Sequence, residues 1–277
     1  MKTILPVLSS AITIMIPVLF AAAGGLFPAL SGTLNIALEG LLLIGAFSSL
    51  TVFYFSGSVA ASILAAALAA VSLAALHAFS VFRLRANVFI TGLAVNLFSS
   101  GLCIVLSDKI FNTRGVVAAA GAAGLKIPYF YSAVLLLLII SVVINKTPFG
   151  LRLRACDKNA DALISLGINP VFYRKSAILI SGVFAGIGGS FMSLSLGAFV
   201  PGMSAGKGWI ALVVIFLGRH KPLGILAAVF VFSLAESFSN YSQGLWKIPA
   251  DFILALPYIV TFVAMIILSI ISKLKTS

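Results

Sequence analysis

Glu39 is one of six acidic residues among 277, and it falls just inside a long apolar run that opens L-N-I-A-L-E-G at Leu34. Asn35 stands four residues before it. As i and i+4 on a helix, the two side chains are expected to share one face. Such a pair suits a hydroxyl, an amine or a free backbone amide. Asn87 heads another apolar run, Asn96 and His77 sit deep within such runs, and Glu236 is the other carboxylate well inside one. Polar groups placed this way are costly in lipid and face the protein interior or a wet cavity. Close to the start of its helix, Glu39 gains from the positive end of the macrodipole. The Gly-rich stretch before it offers unpaired amides as donors. Three roles are open to Glu39: pinning a break in the chain, binding a substrate hydroxyl or amine, or carrying a proton. Glu236, late in its run, is expected to snorkel to the headgroups.

Other chemistries lack their residues. Two histidines and two cysteines, Cys103 and Cys156, supply neither a metal cluster nor a disulfide framework. No Ser/His, Cys/His or paired-carboxylate set can be placed on one site, so the expectation is a carrier and not an enzyme, with no cofactor of its own. The phosphate-cradling pattern G-x-x-x-x-G-K-[ST] is missing as well, so ATP cannot be hydrolysed here through that motif. A net charge of +12 would suit nucleic acid, but the eighteen Lys and Arg residues lie between apolar runs and not on one amphipathic face. That argues against a nucleic-acid partner.

The elements that must position these residues are membrane helices. The chain is 61% hydrophobic and 9% charged, with a mean hydropathy of +1.21. Soluble domains carry about a quarter charged residues. Nine apolar segments run through 4–23, 34–55, 58–80, 87–107, 128–145, 176–197, 208–218, 222–240 and 251–271, the seventh too short to span unaided. Backbone amides cannot go unpaired in lipid, and the runs are continuous rather than alternating, so helices are expected and a β-barrel is not. The fold class is all-α: a polytopic protein of about 8–10 transmembrane helices in the bilayer. The signal-like start, M-K-T-I-L-P-V-L, leads a run of about 20 apolar residues and reads as a retained first span. With the loop 146–175 in the cytoplasm, twelve Lys and Arg fall inside and six outside, which puts the amino terminus outside and the carboxyl terminus inside.

The two halves resemble one another. F-A-A-A-G-G-L-F-P-A-L (20–30) and F-A-G-I-G-G-S-F-M-S-L (184–194) agree at six of eleven positions, at an offset of 164. L-N-I-A-L (34–38) matches G-W-I-A-L (208–212), and Ala86-Asn87 matches Ala250-Asp251, in the same order. The copies begin with segments one and six, so they run in opposite directions through the membrane. Inverted repeats of this kind belong to alternating-access transporters. The chain is read as one membrane domain, 1–277: repeat one over about 4–107, a linking span and loop over about 128–175, and repeat two over about 176–271. Gly24–Thr33 and Phe199–Gly208 are paired, Gly/Pro-interrupted connections and mark broken helices on a substrate path. Asn35, Glu39, Asn87, Asn96 and Trp209 are the candidate path residues, with Phe27 and Phe199 as further aromatic faces.

The basic loop Lys146–Lys175 is the longest charged stretch. Asp157–Leu166 is expected to be one short helix stopped by Gly167, with Ala162, Leu163 and Leu166 on a small apolar face flanked by Arg154 and Asp161. Such a helix rests on lipid or docks a partner.

Four motifs then carry a resemblance: N-I-A-L-E-G-L-L-L-I-G-A-F (35–47), T-P-F-G-L-R-L-R-A-C (147–156), I-S-G-V-F-A-G-I-G-G (180–189) and L-P-Y-I-V-T (256–261). Together they resemble permease subunits of bacterial ABC importers, in the simple-sugar and nucleoside branch and nearest its nucleoside permeases. The resemblance implies a multi-pass protein of the cytoplasmic (inner) membrane. It implies a second permease, homologous or identical, a cytoplasmic ATP-binding subunit, and an extracytoplasmic substrate-binding lipoprotein. It makes the basic loop a coupling element carrying Arg154, Asn159, Asp161, Ala162, Leu163 and Gly167. Members of that group commonly read R-A-x-G-E-N-P-x-A-A there; this chain keeps Arg154, Asn159 and Ala162 and replaces the Gly, Glu and Pro. The rival readings are a sugar permease and a proton-coupled carrier that works alone.

Overall fold

A computed structural model describes residues 4–119, 121 and 129–242. Ten helices and two short strands are formed there. They are α1 (Ile4–Leu30), α2 (Leu38–Ser56), α3 (Val59–Phe82), α4 (Val88–Phe111), β1 (Val117–Ala118) and α5 (Tyr129–Lys146). Then come α6 (Pro148–Lys158), α7 (Ala160–Ser165), α8 (Pro170–Leu196), β2 (Ala198–Phe199), α9 (Lys207–Leu217) and α10 (Pro222–Ser242). Seven of the helices are long and apolar enough to cross a membrane, and α9, with 11 residues, is not. The ninth apolar segment, 251–271, lies outside the described residues. An all-α membrane fold is what the apolar runs demand, since each helix satisfies its own backbone.

Helices α1, α2 and α8 form the centre, each buried over most of its length, while α3, α4 and α5 turn large apolar side chains outward. The central contact joins the two repeats. A Cβ at Gly24 of α1 would lie 2.6 Å from Cβ of Phe184 on α8, and a Cβ at Gly188 of α8 would lie 3.0 Å from Cβ of Phe20 on α1. Phe20 and Phe184 are equivalent residues at the offset of 164, and so are Gly24 and Gly188. Each repeat therefore seats its Phe against the other repeat's Gly, with α1 and α8 antiparallel. This reciprocity is the geometric content of an inverted repeat. Without a hydrophobic drive between helices in lipid, such small-residue contacts are what hold them together. Gly189 extends the seam to α2, where a Cβ would meet the Leu42 carbonyl at 2.2 Å.

Several boundaries differ from the sequence reading. Residues 24–30 are not a broken connection: α1 continues through them to Leu30, and the break is confined to 31–37. The glycines there serve close packing, not a turn. Helix α8 starts at Pro170, six residues before the apolar run, because Asn169 caps it and proline suits the first helical position. The loop helix is two helices. Thr147 caps α6 with Pro148 at its start, and Asn159, at φ −156° and ψ 75°, ends α6 while its side chain caps α7 at Ala162 N. Gly167 ends α7 at φ +72°, as its position suggested. The apolar face proposed for this loop is split: Leu163 points into the core and Leu166 is 74% exposed.

The seam at Gly189 is testable. Gly189→Val forces a branched side chain against the α2 backbone, and we expect a loss of about 3 kcal/mol or more. In a detergent thermal-unfolding assay this variant should melt well below the native chain; an unchanged midpoint would contradict the packing.

Candidate functional site

Helix α2 and the short apolar helix α9 meet at their amino-terminal ends. Helix α2 starts at Leu38 after the break 31–37, and α9 starts at Lys207 after the stretch 200–206. Their backbones touch: a Cβ at Gly208 would sit 2.3 Å from Glu39 N, so only glycine fits there. Gly206, the N-cap of α9, has φ +82° and no side chain to cap with. Glu39, in the first turn of α2, does the capping from the other helix. Its Oε1 accepts from Gly206 N at 2.8 Å and its Oε2 from Gly208 N at 2.7 Å. One carboxylate therefore stands where the positive ends of two macrodipoles converge, and it satisfies donors that lipid cannot.

The first break is pinned by two asparagines. Asn96 of α4 donates from Nδ2 to Ile36 O at 2.9 Å and accepts at Oδ1 from Gly40 N at 2.8 Å. Ser99 Oγ donates to Gly40 O at 2.6 Å. Asn35 accepts at Oδ1 from Ala37 N and donates from Nδ2 to Ser181 Oγ of α8. The Asn96 pair spans Ile36 O and Gly40 N, and Asn35 takes Ala37 N, so these backbone groups keep partners at the break.

The five path candidates thus separate. Glu39, Asn35 and Asn96 are brought to one place, but all three serve the broken backbone. Asn35 precedes α2, so it does not share a helix face with Glu39 as the i, i+4 spacing suggested. It turns to α8, whereas Glu39 turns to α9. Asn87 is exposed and caps α4 through Phe89 N and Ile90 N. Trp209 is 40% exposed on α9, beside the lock. Phe27 and Phe199 are buried in ring contacts with Phe184 and Phe47. Glu236 does not snorkel: it pairs with Lys207 at 3.8 Å, its own oxygen Oε2 being buried. That ion pair adds a charge to the head of α9 that the sequence reading left on a loop.

Gly92, Gly208, Ser99 and Ser181 were missed. A signal existed for α4, where Gly92, Asn96, Ser99 and Cys103 recur at three- and four-residue spacing; Gly92, Val95, Ser99 and Cys103 are buried there and Asn96 is half-buried. A Cβ at Gly92 would strike Ile36 of the break at 2.5 Å. No such period marks Gly208, whose need is set by α2.

At the loop end, Arg154 Nη1 lies 3.4 Å from Asn145 Oδ1, and Asp161, Asn159 and Ala162 are exposed along α7. Leu151, Ile164 and Leu166 are 60% exposed or more. A hollow of about 440 Å³ lies between α7 and α8. Burial pushes the Cys156 thiol up, against the opposing charge of Arg174.

A short helix capped in trans and an antiparallel repeat pair are the architecture of alternating-access membrane transporters. A solved metal-chelate type ABC transporter in an inward-facing conformation shares the fold, with a TM-score of 0.54 at 16% identity over 94% of this chain and 85% of that one. The chain belongs to the family described as branched-chain amino acid transport system / permease component, whose model matches residues 7–269. It is 32% identical to the guanosine ABC transporter permease protein NupQ of Bacillus subtilis, over 90% of this chain and 87% of that protein. The nucleoside ABC transporter permease protein NupC of Lactococcus lactis is 29% identical over the same shares. The L-arabinose permease AraH of Escherichia coli is 26% identical over 79% and 70%. The chain is accordingly the permease component of an ABC importer, a multi-pass protein of the cytoplasmic (inner) membrane. Importers of this class work with an ATP-binding subunit and a substrate-binding protein.

Glu39→Gln keeps one acceptor oxygen and leaves one α9 amide against an NH2 group. Charge-assisted bonds of this kind contribute about 1.5–3 kcal/mol, so the variant should lose stability and assemble poorly. Thermal unfolding and copurification of the complex read this out. A fully assembled, equally stable Glu39→Gln complex that fails only in uptake would return Glu39 to a substrate role.

Proposed function

We propose that this chain is the permease through which a nucleoside enters the cell. The observation that carries the reading is the match to two nucleoside permeases across 90% of the chain. ATP is bound by a separate cytoplasmic subunit, and this chain performs no covalent step and holds no cofactor. A second permease, homologous or identical, completes the pathway, and an extracytoplasmic lipoprotein delivers the substrate. Trp209 offers an accessible aromatic face for a base at the membrane-embedded head of α9, and aromatic stacking suits a nucleobase. The Glu39 lock ties α2 of repeat one to α9 of repeat two, so the two helix heads move together as the permease alternates access. Similarity to AraH supports a second reading, a simple sugar as substrate.

The coupling element in this reading is α6–α7. Its outward Leu151, Ile164 and Leu166, with the adjoining hollow, present apolar surface to the cytoplasmic ATPase.

Two measurements test the proposal. Proteoliposomes holding the full complex should take up radiolabelled guanosine, with unlabelled adenosine and uridine competing and arabinose not. Arabinose uptake without guanosine uptake would replace the nucleoside by a sugar. Ala162→Arg, a charge and bulk on the exposed side of α7, should reduce ATPase copurification by on the order of tenfold. Full recovery of the ATPase with that variant removes α7 from the docking surface.

A further inference from the structure

Arg174 lies in the second turn of α8, away from the Glu39 lock, and is not among the residues that resemblance assigns to the loop. Its guanidinium joins two helix ends. Nε donates to Ser31 O at 3.2 Å, just past the end of α1, and Nη2 donates to Cys156 O at 2.7 Å, in the last turn of α6. Both carbonyls stand where a helix has stopped and has no amide left to offer. Both also stand at the negative end of a macrodipole, where a cation is favoured. A planar, forked donor reaches two such groups at once, which a single ammonium does less well.

The surroundings make this a junction. The chain at Gly32, at φ +75°, lies directly on α6: a Cβ there would sit 2.6 Å from Asp157 Oδ1 and 3.3 Å from Asp157 Cα. Arg152 of α6 donates to the Tyr173 hydroxyl of α8 at 2.9 Å. Phe149 of α6 contacts both Phe27 of α1 and Tyr173, at centroid distances of 6.4 and 5.7 Å. Arg174 also lines the hollow between α7 and α8, so it faces the outward loop surface on one side and the break on the other. Ser31 is the first residue of the segment 31–37, which leads through Asn35 to Glu39 and α9.

We propose that Arg174 is the positioning residue that transmits movement of the coupling helices α6–α7 to the first broken crossing. When the docked ATPase displaces α6, the guanidinium carries Ser31 with Cys156. The break, and with it the Glu39-capped head of α9, then moves as part of the same body. Without Arg174, α6 can shift while the crossing stays behind. The inference rests on α6–α7 being the element that meets the ATPase, and it adds the residue through which that meeting is felt in the membrane.

Hydrogen–deuterium exchange on the assembled permease–ATPase complex in nanodiscs tests it, comparing the resting complex with ATP plus vanadate. In the native complex, exchange should change over 148–165 and over 31–37 together. In Arg174→Gln, the ATPase still copurifies and the change over 148–165 remains, while the change over 31–37 falls by on the order of fivefold or more. Guanosine imported per ATP hydrolysed should fall by on the order of tenfold in the same variant. A native-sized response over 31–37 in Arg174→Gln overturns the proposal. So does a native complex in which 31–37 never responds to ATP, and so does release of the ATPase, which would make Arg174 a docking contact. Should Arg174→Gln fail to fold, Arg174→Lys is measured in its place against the same outcomes, and partial recovery of the 31–37 response is then expected. Failure of the docking reading itself would show separately, as retention of the ATPase by Ala162→Arg.

Discussion

A helix that starts within lipid must find acceptors for its first amides, because no water is there to supply them. That constraint governs the centre of this protein. Helix α9 begins at a glycine with no capping side chain, and the missing acceptor is Glu39, 167 residues earlier in the chain. The carboxylate is tolerated there because the amides and dipoles it meets are the groups that need it. Gly208 allows the two backbones to touch, and Asn35, Asn96 and Ser99 satisfy the break that lets α2 begin at the right depth. Without Glu39, the amides of Gly206 and Gly208 at the start of α9 would lose their acceptor.

The lock is held in place by the reciprocal Gly–Phe contacts of α1 and α8. Two copies of one motif, meeting antiparallel, put the first break and the second crossing on either side of a common seam. Irregular backbone at membrane depth then lies inside protein and not against lipid. The same seam leads outward to the basic loop, where Arg174 on α8 and Phe149 on α6 reach the end of α1. An ATP-driven carrier needs such continuity. The energy is released on another subunit, and it acts on substrate only through packed elements with few ways to move.

Much of this was legible before any coordinates. The apolar runs, the Lys and Arg bias and the repeated F-A-x-x-G-G-x-F segment pointed to a helical, inverted-repeat membrane protein. Glu39 stood out by cost alone. The errors were local and share one cause. Residues 24–30 have the Gly and Pro of a turn yet remain helical, since the glycines there face a neighbouring helix. The i, i+4 spacing of Asn35 and Glu39 implied a shared face, but the helix starts at Leu38, between them. Composition and spacing report what a residue costs in a medium, not which neighbour offsets that cost.

The sequence by itself determined the medium, the helical class, the repeat and the permease kinship, because these depend on hydropathy, period and order along the chain. Only the tertiary structure decided that the Glu39 carboxylate caps α9, that Lys207 pairs with Glu236, and that Arg174 joins α1 to α6. Each of these contacts spans 18 to 169 residues. A buried donor takes whichever acceptor the packing of other helices brings within about 3 Å, and no local pattern encodes that choice.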